Sequence, residues 1–92
     1  MYYQLQTRYK EVHKMVNVTV YSTQSCPWCH KVKDFLKANK VKFEDKDVSS
    51  DDAARNEMVE KSGQMGVPVI VIEGNKPIVG FDQEAIKKAL KL

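Results

Sequence analysis

Ninety-two residues, 42 % of them hydrophobic, allow one small domain, because a chain of this size buries only about 60–65 % of its unfolded surface and cannot support two cores. Fifteen Lys and Arg against 12 Asp and Glu leave a net charge of +3, interspersed along the chain, which argues against a nucleic-acid binder. Two cysteines are too few for the disulfide framework of a secreted mini-protein, and the longest apolar run, residues 67–72, is too short to span a bilayer.

No apolar leader opens the chain, so a cytoplasmic protein is the expectation. In that reducing setting a close Cys pair is more often catalytic or metal-binding than structural. Residues 1–14 are polar and aromatic-rich, without Gly or Pro. Tyr2, Leu5, Tyr9 and Val12 make a helix-like stripe. This stretch reads as an N-terminal extension (a tag, an upstream start or a short helix), with the domain proper over 15–92.

Val16 to Tyr21 is a β-branched alternating run and predicts the first strand. Ser22 to Ser25 is a turn. From Pro27, the positions of Trp28, Val32, Phe35 and Leu36 give one apolar helical face, with Pro27 at the first helical position, where its missing N–H is harmless; Asn39 ends this helix. Val41 to Val48 alternates and predicts a second, partly exposed strand. Ser49 to Asp52 supply cap candidates for a helix through Ala54, Met58 and Val59, stopped by Gly63. Val67 to Ile72 is unbroken apolar sequence, as in a strand covered on both faces. Glu73 to Lys76 form a tight turn, and Pro77 to Val79 return as a strand that Pro77 assigns to the sheet edge. Gly80-Phe81-Asp82 then opens a last helix, with Phe81, Ala85, Ile86, Ala89 and Leu90 on one face and Asp82 as its cap. The order is β-α-β-α-β-β-α.

Cys26-Pro27-Trp28-Cys29 lies at the first strand-to-helix junction, where a redox dithiol belongs in such a pattern. A helix N-terminus offers unpaired N–H groups and a positive dipole end, both of which favour a thiolate, at Cys26 most of all. Cys29, one turn in, points inward within reach of a disulfide to Cys26. The same string continued to His30 fits a c-type haem attachment pattern, without the export signal or axial partners that haem needs. Zinc would need a second pair of ligands, but His30 is adjacent to Cys29 rather than at ligand spacing from a partner, and His13 lies in the extension. Iron–sulfur binding through Cys26 and an external thiol is a further alternative. Gly66-Val67-Pro68 is either an ordinary turn or a cis X-Pro loop whose Val67 backbone receives an extended substrate beside the dithiol.

Residues 16–92 resemble the glutaredoxin family through three separated signals: Cys26-Pro27-Trp28-Cys29, Gly66-Val67-Pro68, and Gly80-Phe81-Asp82 before the last helix. The resemblance implies an α/β thioredoxin-like three-layer sandwich with a four-stranded mixed sheet. It implies a thiol–disulfide oxidoreductase acting on protein disulfides or glutathione mixed disulfides, monomeric, with no tightly bound cofactor or metal and glutathione as a co-substrate. Cys26 and Cys29 would be catalytic, and Thr23, Pro27, Trp28, Met65, Val67, Pro68, Gly80, Phe81 and Asp82 would form the substrate site. Two departures stand out. Thr23, Gln24 and Ser25 occupy the stretch where the family commonly has a basic residue for the glutathione carboxylate. Gly80-Phe81 looks more like the redoxins that take electrons from thioredoxin reductase, which makes that enzyme the alternative electron source.

Overall fold

The computed structural model describes residues 17–92; the stripe over residues 1–14, the start at Met15 and Val16 lie outside the described residues. The chain runs β1 (Val18–Ser22), α1 (Pro27–Ala38), β2 (Glu44–Asp47), α2 (Asp52–Ser62), β3 (Val69–Ile72), β4 (Ile78–Val79) and α3 (Gln83–Leu90). The strands form one sheet in the order β2-β1-β3-β4, with β1 parallel to β2 and antiparallel to β3, and β3 antiparallel to β4.

Side-chain alternation sorts the molecule into three layers. Val18 and Val20 of β1, with Ile70 and Ile72 of β3, meet Val32 and Leu36 of α1 and Ile86 and Leu90 of α3 in one buried cluster. Their neighbours Tyr21 and Val69 face the other way, onto Ala54 and Met58 of α2. This is the expected sandwich. Truncating a fully buried aliphatic such as Leu36 or Ile70 to Ala would cost about 2–5 kcal/mol. The buried Tyr21 hydroxyl is satisfied by the Glu57 carboxylate, which also accepts Lys46 Nζ at 2.8 Å. Phe35 of α1 meets Phe81 edge to face at 5.8 Å, which ties the segment before α3 into the first cluster.

The helices start and stop where the sequence expects. Asp51 and Asp82 accept the N–H groups of Ala54 and Ala85, and Gly63 closes α2 in the left-handed region at φ 74. The strands are shorter than their apolar runs. In place of 41–48, β2 begins at Glu44, because Lys40 adopts φ 59 and turns the chain back on α1, where the Val41 N–H bonds the Leu36 carbonyl. In place of 67–72, β3 begins at Val69, since Pro68 has no N–H to pair. The returning strand keeps only Ile78–Val79, and it lies at the sheet edge as Pro77 indicated.

Lys40 donates its N–H to Lys37 while Val41 donates to Leu36, a pair of bonds that closes a helix around a left-handed residue, usually glycine. A lysine there carries a Cβ crowding that glycine lacks. Lys40→Gly is expected to stabilise the protein by about 0.5–1 kcal/mol, read as a rise of a few degrees in Tm; an unchanged or lower Tm would contradict this account.

Candidate active site

Cys26 is the N-cap of α1, with extended backbone at φ −90 and ψ 112, and its Sγ accepts the Cys29 N–H at 3.2 Å. A sulfur here does what an Asp or Ser oxygen does at other helix starts. The helix N–H and the positive end of the dipole are directed at it, an arrangement that stabilises negative charge on sulfur. Cys26 is half-buried, its N–H reaches the Thr23 carbonyl at 3.4 Å, and both cysteines are free thiols.

Cys29 is fully buried, on the same helical face as Val32 and Leu36. Burial pushes its thiol up from the ordinary 9.0 to about 12, helped by the hydrogen bond and charge of Cys26, while a backbone hydrogen bond from Thr23 and the Lys33 charge act in the opposite direction. The two sulfurs, one turn apart, thus face different surroundings.

Beneath them lies a polar cluster that the sequence pattern does not reveal. Lys33, one turn beyond Cys29, bonds Asp45 of β2 at 2.9 Å and reaches the buried Ser22 hydroxyl at 3.5 Å; Ser22 itself donates to Asp45 at 2.7 Å. Burial would raise the Asp45 carboxyl, but the Ser22 and Lys33 bonds outweigh it and hold its pKa below the ordinary value. The i, i+4 spacing of Cys29 and Lys33 was the available signal. A second unforeseen contact joins His30 Nε2 to the Gln24 carbonyl at 2.8 Å, so His30, though exposed, fastens the loop ahead of the dithiol.

The sheet register gathers the other candidates at one end. Tyr21 pairs with Val69, so the loop leaving β1 toward Cys26 and the Val67-Pro68 segment entering β3 lie at the same end of neighbouring strands. Val69 pairs in turn with Val79, and the Gly80 N–H bonds the Pro68 carbonyl at 2.8 Å, which brings Gly80-Phe81-Asp82 alongside. The Val67–Pro68 bond is cis, the alternative that the sequence had left beside an ordinary turn. Pro68 is buried and Val67 half-buried against the α2-side cluster.

The remaining candidates separate into surface and framework. Trp28, 56 % exposed, carries Lys31 Nζ 4.8 Å from its ring centroid, and Met65 is 68 % exposed. Pro27 is exposed on the first turn, and Thr23 is half-buried. Phe81 packs inward on Phe35, and the Asp82 carboxylate is occupied at 3.1 Å by the Ala85 N–H of its own helix. Among the described residues no group of three or more His, Cys, Asp or Glu is placed to hold a metal ion, and no helix is long and apolar enough to cross a membrane.

The glutaredoxin family model matches residues 18–76. An uncharacterized glutaredoxin-like 8.6 kDa protein in the rubredoxin operon of Clostridium pasteurianum is 46 % identical over 74 residues, 80 % of this chain and 97 % of that protein. Glutaredoxin 3 of Escherichia coli K12 is 37 % identical over 59 residues, 64 % of this chain and 71 % of that protein. Among solved structures, the glutaredoxin-like NrdH-redoxin of Escherichia coli, described as having a thioredoxin-like activity profile, superposes with a TM-score of 0.68 at 25 % identity, over 78 % of this chain and 92 % of that one. With the dithiol at a helix start and the cis proline at the same end of the sheet, these matches place the chain in the glutaredoxin family of thiol–disulfide oxidoreductases, built on the thioredoxin fold.

Proposed function

We propose that this protein is a dithiol electron carrier that reduces disulfides of protein clients, with Cys26 as the attacking thiolate and Cys29 as the resolving thiol. The asymmetry of the pair carries the reading: Cys26 is accessible and capped by a helix N–H, whereas Cys29 is buried with its proton held to about pH 12. Cys26 attacks one sulfur of the client disulfide, and the other client sulfur leaves as a thiolate. Cys29 then gives up its proton and attacks the Cys26 sulfur, which closes the Cys26–Cys29 disulfide and expels the second client thiolate. Two electrons have passed to the client, and the oxidised carrier needs an external dithiol or thiol reductant.

Capture of Cys26 favours the second step. Both the hydrogen bond and the charge of Cys26 raise the Cys29 pKa. Once Cys26 is bound in the mixed disulfide, its negative charge is gone, and the opposing influences of Thr23 and Lys33 act on a less resistant proton.

The surroundings of the dithiol favour protein clients and a thioredoxin reductase as electron source. Thr23, Gln24 and Ser25 are uncharged, Lys33 is engaged by Asp45, and His30 is engaged by Gln24. The exposed groups nearby, Trp28, Met65 and Val79, suit apolar protein surface. The thioredoxin-like profile described for NrdH-redoxin agrees with this preference. A second reading, reduction by glutathione in a cytoplasmic setting, draws on the similarity to glutaredoxin 3 and on the α3 N-terminus behind Gly80-Phe81-Asp82, whose backbone N–H groups suit a carboxylate.

Cys26→Ser is expected to abolish turnover of a protein disulfide, while Cys29→Ser accumulates the client mixed disulfide, visible as a band on non-reducing gels. Full activity in Cys26→Ser would refute the assignment. NADPH oxidation should be faster with thioredoxin reductase than with glutathione and its reductase; the reverse order would favour the glutathione reading. Because the Cys29 proton is held in the folded state to about pH 12 against an ordinary 9.0, the unfolded reduced chain loses it first as pH rises. The reduced protein should therefore lose stability from about pH 9 upward, and its Tm should fall increasingly below that of the oxidised protein, which has no thiol to ionise. A constant gap between the two Tm values would contradict the burial argument.

A further inference from the structure

Between α2 and the cis Val67–Pro68 bond, the chain is held by the side chains of Ser62 and Gln64. Gln64 folds back along the loop: its Oε1 accepts the Gly66 N–H at 2.6 Å, and its Nε2 donates to the Gly66 carbonyl at 3.0 Å. The second Nε2 hydrogen reaches the Ser62 hydroxyl at 3.3 Å, and that hydroxyl lies 2.7 Å from the Met58 carbonyl in the last turn of α2. Every polar atom of the amide is used, so its orientation is settled by its partners. The Gln64 amide meets both main-chain groups of Gly66, as a neighbouring strand would.

Both main-chain groups of Gly66 are thereby engaged. A Cβ at Gly66 would lie 2.8 Å from Gln64 Oε1, so the close approach requires glycine. At Pro68 there is no N–H, and its carbonyl is taken by Gly80. Among the described residues, no hydrogen bond involves the N–H or carbonyl of Val67. Val67 thus lies between two residues whose main-chain groups are engaged.

We propose that Gln64 is a positioning residue for an extended client: by holding both backbone groups of Gly66, it fixes the orientation in which the unbonded N–H and carbonyl of Val67 are presented for pairing beside the dithiol. This rests on the client-disulfide reading given above.

The test uses pre-reduced protein in single turnover, with two probes. One is a short extended peptide whose one cysteine forms a mixed disulfide with cysteamine; the other is bis(2-hydroxyethyl) disulfide, which has no backbone to pair. In Gln64→Ala the peptide concentration for half-maximal rate should rise roughly fivefold to tenfold, with the limiting rate and the small-disulfide rate little changed. Gln64→Glu keeps the acceptor for Gly66 N–H but loses the donor, and should fall between. Gly66→Ala, which drives the amide out, should reproduce the Gln64→Ala effect and add nothing to it in the double variant.

Equal losses on both probes would overturn the proposal in favour of a merely structural role. An unchanged half-maximal concentration in Gln64→Ala, or additive effects in the double variant, would overturn it as well. A wild-type protein that reacts with the small disulfide but never with the peptide would refute the client reading and this inference with it.

Discussion

The pairing of β1 with β3 is the constraint on which both the core and the site depend. Because it is antiparallel, with Tyr21 opposite Val69, the end of one strand and the start of the other lie together. The dithiol follows the first and the cis proline precedes the second, with Pro68 39 residues beyond Cys29 in sequence. The pairing of β3 with β4 adds Gly80 to the same end. A slip of one residue would exchange the faces of Val18 and Val20 with those of Thr19 and Tyr21, so burial on both sides of the sheet enforces the register that the site requires.

A single amphipathic helix sets the difference between the two sulfurs. Cys29, Val32 and Leu36 lie at i, i+3 and i+7 on the buried face of α1, so the spacing that builds the core also desolvates one thiol. Cys26 stands just outside the first turn, where the helix presents its unpaired N–H groups to it. Acceptor and reserve follow from where the helix begins. Lys33, held by Ser22 and Asp45, adds a fixed positive charge below the buried thiol without presenting it to solvent at the dithiol's mouth.

Much of this was legible in the sequence, for identifiable reasons. Alternation gave the first two strands and an unbroken apolar run the third, while Pro77 gave the edge and Asp51, Asp82 and Gly63 the helix ends through local backbone chemistry. The strand limits were misjudged where one residue redirected the chain: Lys40 in the left-handed region delays β2 to Glu44, and Pro68 delays β3 to Val69. The family signals brought forward Cys26, Cys29, Val67 and Pro68. The Gln64–Gly66 bonds, the Ser22–Asp45–Lys33 cluster and the His30–Gln24 contact went unseen. Such bonds depend on how loops fold back on themselves, which hydrophobic periodicity does not encode.

Trp28 is the only tryptophan in the chain, and it stands on the exposed face of α1 between the two sulfurs, with the Lys31 ammonium over its ring. Its emission therefore has one origin. Opening or closing the Cys26–Cys29 bond, or seating a client over the indole, changes the immediate surroundings of that single indole. The protein carries its own optical gauge, able to follow each electron-transfer cycle without an attached dye.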